Sequence, residues 1–78
     1  MNAQVTYFER SPYVVAAALR RAAGRCERCH KPAPFSRRSD GSPYLEVHHV
    51  ILLAEGGDDT LKNVLALCPN CHRREHHG

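Results

Sequence analysis

The sequence predicts a small α+β domain whose fold is stabilised by a metal ion. Three observations predict this class: apolar residues at helical spacing, a later run of strand-forming residues, and two C-x2-C pairs. A chain of 78 residues buries a small share of its surface, and domains near this size often add disulfides or a structural metal. We expect the order helix, knuckle, hairpin, loop, knuckle, helix, where a knuckle is the tight turn formed by one C-x2-C pair.

Residues 1–10 are predicted to form an N-terminal arm, followed by a single domain over residues 11–78. Ser11 and Pro12 are typical of an N-cap and a first helical position. Apolar residues then recur at helical spacing: Val14, Val15, Ala18, Leu19 and Ala22. Gly24 is predicted to cap the end of this helix.

The segment Phe35–Val50 is predicted to form a hairpin around the turn residues at 40–42. Its second arm contains strand-forming residues: Tyr44, Leu45, Val47 and Val50. This arm runs into His48 and His49. Residues 51–60 are then predicted to be a loop, and an apolar run leads to Pro69, which can begin the last helix.

Four cysteines form two C-x2-C pairs separated by 38 residues: Cys26, Cys29, Cys68 and Cys71. Each pair presents two thiolates from one tight turn, and two such turns complete a tetrahedral Zn²⁺ site. A four-thiolate site leaves no open position, so its predicted role is structural. No export signal and no apolar run of about 20 residues is visible, so we predict a cytoplasmic protein without membrane contact.

The histidines predict a second metal site. His72 and His76 are i and i+4 on the predicted last helix, so two imidazoles share one face, and His48 could supply a third ligand. Neighbouring side chains on a strand point to opposite sides. His49 is therefore expected to stay outside the cluster as a neutral imidazole, which suits a general base.

Each cysteine pair also precedes a histidine, and C-x-x-C-H is the spacing of covalent haem attachment. In bacteria that attachment requires export, for which no signal is visible. A dihaem protein would also leave His48, His49 and Asn63 unexplained, so we favour the metal interpretation.

The charge distribution indicates a nucleic-acid partner. Residues 1–38 carry eight Lys/Arg against Glu9 and Glu27, a balance of +6, whereas residues 39–78 have a balance of −3. A clustered basic half is typical of nucleic-acid binders, although it also fits a solvated helix face. The candidate phosphate contacts are Arg20, Arg21, Arg37, Arg38, Arg73 and Arg74.

The run "LEVHHVILLAEGGDDTLKNVLALCPNCHRREH", residues 45–76, resembles the HNH endonuclease family. It contains the family's first histidine in His48-His49, its central asparagine as Asn63, and its last histidine as His72. The upstream Cys26 and Cys29 match the subset of the family with a four-cysteine zinc. One departure is Leu52, where many relatives have proline.

The resemblance implies a small ββα-metal (His-Me finger) fold that hydrolyses DNA with weak sequence preference. It implies that His49 is the general base, that His48, His72 and His76 bind the catalytic ion, and that Asn63 orients the base. The ion could be Mg²⁺, Mn²⁺, Ni²⁺ or Zn²⁺. A single active site cuts one strand each time it binds DNA, so a double-strand break would need a dimer or two successive binding events.

The alternative is a non-catalytic zinc-stabilised module that binds DNA or a protein partner. The discriminating residue is His49, because a module that only binds has no use for a free imidazole beside the metal ligands.

Overall fold

Two α-helices and a two-stranded antiparallel sheet make up the fold. The structure is a computed structural model that describes residues 11–77, and the predicted arm over residues 1–10 lies outside the described residues. In chain order the elements are α1 (Pro12–Ala22), β1 (Glu46–His49), two 3-10 turns (Leu53–Glu55 and Leu61–Asn63), β2 (Val64–Leu67) and α2 (Pro69–His77). The predicted α+β class is confirmed. Within the described part of the chain, no helix has the length and apolar character needed to cross a membrane.

Helix α1 begins where the sequence predicts, but its C-cap lies one residue before the predicted Gly24. The Ser11 side-chain oxygen accepts a hydrogen bond from the Tyr13 N–H at 3.2 Å. Ala23, rather than Gly24, is the C-cap: its φ of 54° is left-handed, and its N–H donates to the Leu19 carbonyl. Gly24 follows with a φ of 84°. The predicted glycine therefore continues a left-handed turn that alanine begins.

The predicted hairpin over residues 35–50 is wrong in its strand pairing. Only one isolated bridge forms within that segment, Ser36↔Pro43. It encloses a turn in which the Arg37 N–H donates to the Ser42 carbonyl at 2.7 Å. Pro43 has no backbone N–H to donate, so a regular ladder does not extend through this position.

Strand β1 instead pairs with β2, with Glu46 opposite Leu67 and His49 opposite Val64. The two strands are joined by residues 50–63. The predicted loop over residues 51–60 contains the first 3-10 turn, and the second, Leu61–Asn63, follows it directly before β2. Strand β2 is the apolar run that leads into Cys68. The pairing therefore places the second cysteine pair beside the start of β1.

The core is small and includes two of the four cysteines. Its buried residues are Ala22, Cys26, Leu45, Ala66, Leu67 and Cys71. Helix α1 contributes its small residues, Ala18 and Ala22, to the interior. Short side chains allow this helix to lie close to the sheet, but they bury little apolar area.

Arg21 connects α1 to the first knuckle and to β2. Its guanidinium donates to the Glu27 carboxylate at 2.6 and 2.7 Å, and to the Leu61 and Val64 carbonyls at 2.9 and 2.7 Å. The hydrogen bond from Arg21 holds the pKa of the Glu27 carboxyl below its usual value. Glu27 also accepts from the Ala66 N–H at 3.0 Å. One ion pair thus joins three parts of the chain.

Gly57 is predicted to be intolerant of a side chain, because the chain after β1 passes directly over it. An added Cβ would lie 1.9 Å from the Ile51 carbonyl oxygen and 2.9 Å from Asn63 Nδ2. We expect Gly57→Ala to lower the free energy of unfolding by about 3 kcal/mol, measured by urea denaturation. The matched control is Gly41→Ala, whose Cβ would meet nothing within 4 Å. There only the left-handed φ should cost about 1–2 kcal/mol. Equal losses in the two variants would contradict the close approach at Gly57.

Candidate functional site

Four cysteine sulfurs converge where the two knuckles meet. The ligand atoms of Cys26, Cys29, Cys68 and Cys71 all lie within 4.8 Å of one another. The Sγ atoms of Cys29 and Cys68 are 4.0 Å apart. All four are free cysteines, and Cys26 and Cys71 are buried. This is the cluster that the C-x2-C spacing predicts.

The electrostatics of this cluster fit a zinc ion. Burial raises the pKa of the Cys26 thiol, but backbone N–H groups, that of Cys29 first, donate to its sulfur and bring the pKa to about 6. Burial and the neighbouring thiols raise the pKa of Cys71 to about 12. Thiolates this close repel one another, so four of them need the charge that Zn²⁺ would supply. Four sulfur ligands around an ion would leave no position for a substrate, which is the donor set of a structural site.

Three imidazoles form a second cluster between β1 and α2. The ligand nitrogens of His48, His72 and His76 lie within 4.8 Å of one another, and the Nε2 atoms of His72 and His76 are 3.1 Å apart. Burial lowers the pKa of His48, and the neighbouring His72 and His76 lower it further. His48 therefore favours the neutral form, which is the form that binds a metal. A set of three imidazoles fits a divalent ion with positions left for water and phosphate oxygen.

Glu46 orients one member of the imidazole cluster. Its Oε1 lies 2.7 Å from His72 Nδ1, and its Oε2 accepts a hydrogen bond from the Tyr44 hydroxyl at 2.6 Å. The hydrogen bond from Tyr44, and then that from His72, lower the pKa of Glu46, so the carboxylate is charged. A carboxylate can only accept. His72 therefore donates from Nδ1, which leaves Nε2 free to bind a metal.

His49 lies on the other side of β1, as strand geometry predicts. Its Nε2 is 2.8 Å from Asp59 Oδ1, and its side chain is only 3 % exposed. Its second ring nitrogen, Nδ1, is buried without a hydrogen-bond partner among residues 11–77. His49 also borders a cavity of about 360 Å³ that is lined by the three clustered histidines. The structure thus separates His49 from the cluster yet leaves it beside the same cavity.

Asn63 fastens the loop to the end of β1. Its Oδ1 accepts from the Ile51 N–H at 2.9 Å, and its Nδ2 donates to the carbonyls of Ile51 at 2.9 Å and Asp58 at 2.8 Å. The Val50 N–H donates to the Asn63 carbonyl at 2.8 Å. The two residues after His49 are therefore both fixed by Asn63, and its role in orienting His49 stays a prediction.

Leu52, the departure from the family pattern, does not disturb this loop. Its φ of −60° is the angle that proline would impose. Its carbonyl accepts hydrogen bonds from the N–H groups of Glu55 and Gly57 at 2.9 and 3.0 Å. Its side chain lines the cavity beside the histidines.

The six arginines predicted to contact phosphate divide into two groups. Arg21 is used in the ion pair with Glu27, and the Arg37 guanidinium donates to the Leu45 carbonyl at 2.8 Å and lies 4.7 Å from the Tyr44 ring centroid. These two therefore have intramolecular roles that the sequence did not reveal. The other four are exposed: Arg20, Arg38, Arg73 and Arg74. Their contact with DNA stays a prediction.

Glu46 and Asp59 are the site residues that the sequence analysis missed. Glu46 precedes His48 by two positions, so the period of a strand places both on one face. That signal could have identified it. Asp59 lies ten residues beyond His49, across the loop, and no local periodicity relates the two.

Fold and site together define a small α+β protein with two clusters of side chains that could hold a metal ion, and with the buried His49 beside one of them. The sequence model of the HNH endonuclease family matches residues 26–78. The chain therefore belongs to the HNH endonuclease family. This confirms the family predicted from the sequence, and an endonuclease family favours an enzyme over a module that only binds.

Two of the individual proteins that the chain is similar to are described as restriction enzymes, which agrees with this assignment. The chain is 56 % identical over 71 residues to the type IV methyl-directed restriction enzyme EcoKMcrA of Escherichia coli (strain K12), covering 91 % of this chain and 25 % of that protein. It is 45 % identical over 31 residues to anaredoxin of a Nostoc species, covering 40 % of this chain and 41 % of that protein. The structure of the type IV phosphorothioation-dependent restriction endonuclease ScoMcrA matches with a TM-score of 0.73 and 40 % identity, over 88 % of this chain and 15 % of that one.

Removal of the ion from the four thiols is expected to abolish the cooperative unfolding transition. Binding at a structural zinc site contributes about 10–16 kcal/mol to folding, which matches or exceeds the total stability of about 5–15 kcal/mol typical of a domain. The measurement is thermal unfolding by circular dichroism, with and without a strong chelator. His76→Ala, which disrupts the imidazole cluster alone, should show the same loss, and added Zn²⁺ should restore the transition. A melting temperature that the chelator leaves unchanged would contradict the structural role.

Proposed function

We propose that this chain hydrolyses DNA phosphodiester bonds with the help of one divalent ion and with weak sequence preference. The observation that carries the proposal is the arrangement of four histidines around one cavity. Three of them converge, whereas His49 is directed away from the cluster by the alternation of strand β1. A site for metal-assisted hydrolysis needs both an ion-binding set and a separate base.

His48, His72 and His76 would hold the ion. A divalent cation bound there, Mg²⁺, Mn²⁺, Ni²⁺ or Zn²⁺, supplies positive charge that stabilises the non-bridging phosphate oxygens and the departing 3′ oxygen. Glu46 keeps the His72 ring in the tautomer whose Nε2 can bind. The thiol cluster would hold a structural zinc and take no part in the chemistry.

His49 would accept the proton of the attacking water. Neutral imidazole has one nitrogen that donates and one that accepts, and Nε2 is already occupied by Asp59. Nδ1 is therefore the ring nitrogen left to accept the proton, and the attacking water would have to reach this buried atom from the cavity that His49 borders. Asn63 supports this role by fixing Val50 and Ile51, the two residues that follow His49 in the chain.

DNA would be bound mainly through its phosphate backbone. Arg73 directly follows His72 and is exposed, and Arg20, Arg38 and Arg74 are exposed as well. Contacts from such side chains to phosphate carry no sequence information, which accords with weak sequence preference.

Two of the similar proteins are restriction enzymes, one described as methyl-directed and the other as phosphorothioation-dependent. This chain spans a quarter of EcoKMcrA and 15 % of ScoMcrA. We therefore propose for it the hydrolytic step alone, and not the recognition of modified DNA.

Conversion of supercoiled plasmid to open circle tests this proposal. The purified protein is expected to nick DNA in the presence of a divalent ion and to lose the activity in EDTA. His49→Ala should lower the cleavage rate by about 10²–10⁴-fold, the usual contribution of a general base, while DNA binding stays unchanged.

The matched control is His77→Ala, which removes an exposed imidazole from the same helix as the clustered histidines. It should cleave at the wild-type rate. Cleavage that survives His49→Ala would place the base elsewhere. If the folded, zinc-loaded protein fails to cleave DNA with every divalent ion tested, the result would support the binding module instead.

A further inference from the structure

The environment of His49 is asymmetric between its two ring nitrogens. Nε2 lies 2.8 Å from Asp59 Oδ1, whereas Nδ1 is buried without a partner among the described residues. A buried polar atom without a partner costs about 1–3 kcal/mol, and such atoms in folded proteins call for an explanation. A functional one is available if Nδ1 is the atom that must accept a proton.

The carboxylate decides which nitrogen carries hydrogen. An ionised carboxylate only accepts hydrogen bonds, so a bond of 2.8 Å requires the proton on His49 Nε2. The Nδ1 lone pair is then free. If the proton were on Nδ1 instead, the ring could not accept a proton there, and Nε2 would face Asp59 lone pair to lone pair. The side chain of Asp59 therefore determines both the ring orientation and the tautomer.

Asp59 is itself held from two directions. Its Oδ2 accepts a hydrogen bond from the Ser11 N–H, at the start of α1. The preceding residue is fixed as well, because Asn63 Nδ2 donates to the Asp58 carbonyl at 2.8 Å. The Asp59 side chain is 20 % exposed. Helix α1 and the loop thus place this carboxylate against His49.

We propose that Asp59 is a positioning residue for His49. It holds the imidazole as the Nε2-protonated tautomer and leaves Nδ1 free to accept the proton of the attacking water. This inference rests on the proposed function of His49 as general base. The histidine that Asp59 contacts, His49, lies outside the imidazole cluster, so the effect of Asp59 should fall on turnover rather than on metal binding.

The chain offers a matched control in Glu46. It is also a carboxylate hydrogen-bonded to a histidine at 2.7 Å, but its partner is His72, a member of the metal-binding cluster. Glu46→Gln should weaken binding of the divalent ion by about 10–100-fold and leave the His49 tautomer unchanged. Asp59→Asn should leave binding of the divalent ion unchanged and alter the His49 tautomer. An amide can donate or accept, so it no longer dictates which ring nitrogen is protonated.

The first test needs no variant. Long-range proton–nitrogen NMR correlation spectra of the zinc-loaded, nitrogen-15-labelled wild-type protein report the protonated nitrogen of each histidine ring. We expect His49 to carry its proton on Nε2. A proton on Nδ1 would overturn the proposal. This result does not depend on cleavage, so it separates failure of the inference from failure of the proposed function.

The second test compares the two carboxylate variants by kinetics and by metal binding. Asp59→Asn is expected to lower kcat for plasmid nicking by about 10–100-fold, with KM and Mn²⁺ affinity, measured by competition with a chromophoric chelator, within about twofold of wild type. Asp59→Asn should also give a mixed His49 tautomer in the NMR spectra. Unchanged kcat, or a loss that follows Mn²⁺ affinity, would overturn the proposal.

Discussion

The convergence of the four thiols at the start of helix α2 is the constraint on which the rest of the structure depends. Of the nine residues of α2, all of them described, only Cys71 is buried. Apolar packing therefore contributes little to holding this helix. Its polar contacts include an ion pair from Glu75 to Arg28 at 2.9 Å and the bond from His72 to Glu46. Exposed ion pairs add about 0–1 kcal/mol. An ion shared by four thiolates can supply much more, and it would also fix the helix that presents His72 and His76 to β1.

The two-residue period of β1 then places the two adjacent histidines on opposite sides of one strand. His48 joins the histidines of α2, and its neighbour His49 joins the loop, where Asp59 meets it. Each side has its own carboxylate, with Glu46 serving the cluster. Asn63 fixes both the backbone that follows His49 and the loop that contains Asp58. The two proposed functions, metal binding and proton transfer, can therefore lie beside one cavity without competing for the same imidazole.

Local signals made most of the fold predictable. The cap at Ser11, the helical spacing in α1 and the C-x2-C pairs each act within a few residues, and the structure has them where the sequence indicates. The strand pairing does not follow from local signals. Residues 44–50 favour a strand, but its partner must be a segment that can form a complete ladder with it. Pro43 lacks a backbone N–H, so the nearby segment before the turn does not form one. The same limit applies to Asp59, whose link to His49 depends on the path of a loop. The roles of the site histidines remain predictions that rest on geometry and family.

The central claim is that His48 and His49, though adjacent, belong to different sites. The most direct measurement is the number of metal ions held per chain, determined by elemental analysis after equilibrium dialysis against a fixed concentration of free Zn²⁺. The wild-type protein should hold two ions, at the thiols and at the imidazoles. We expect His49→Ala also to hold two, and His48→Ala to hold one. Loss of an ion in His49→Ala, or retention of both ions in His48→Ala, would contradict the claim that the two histidines belong to different sites.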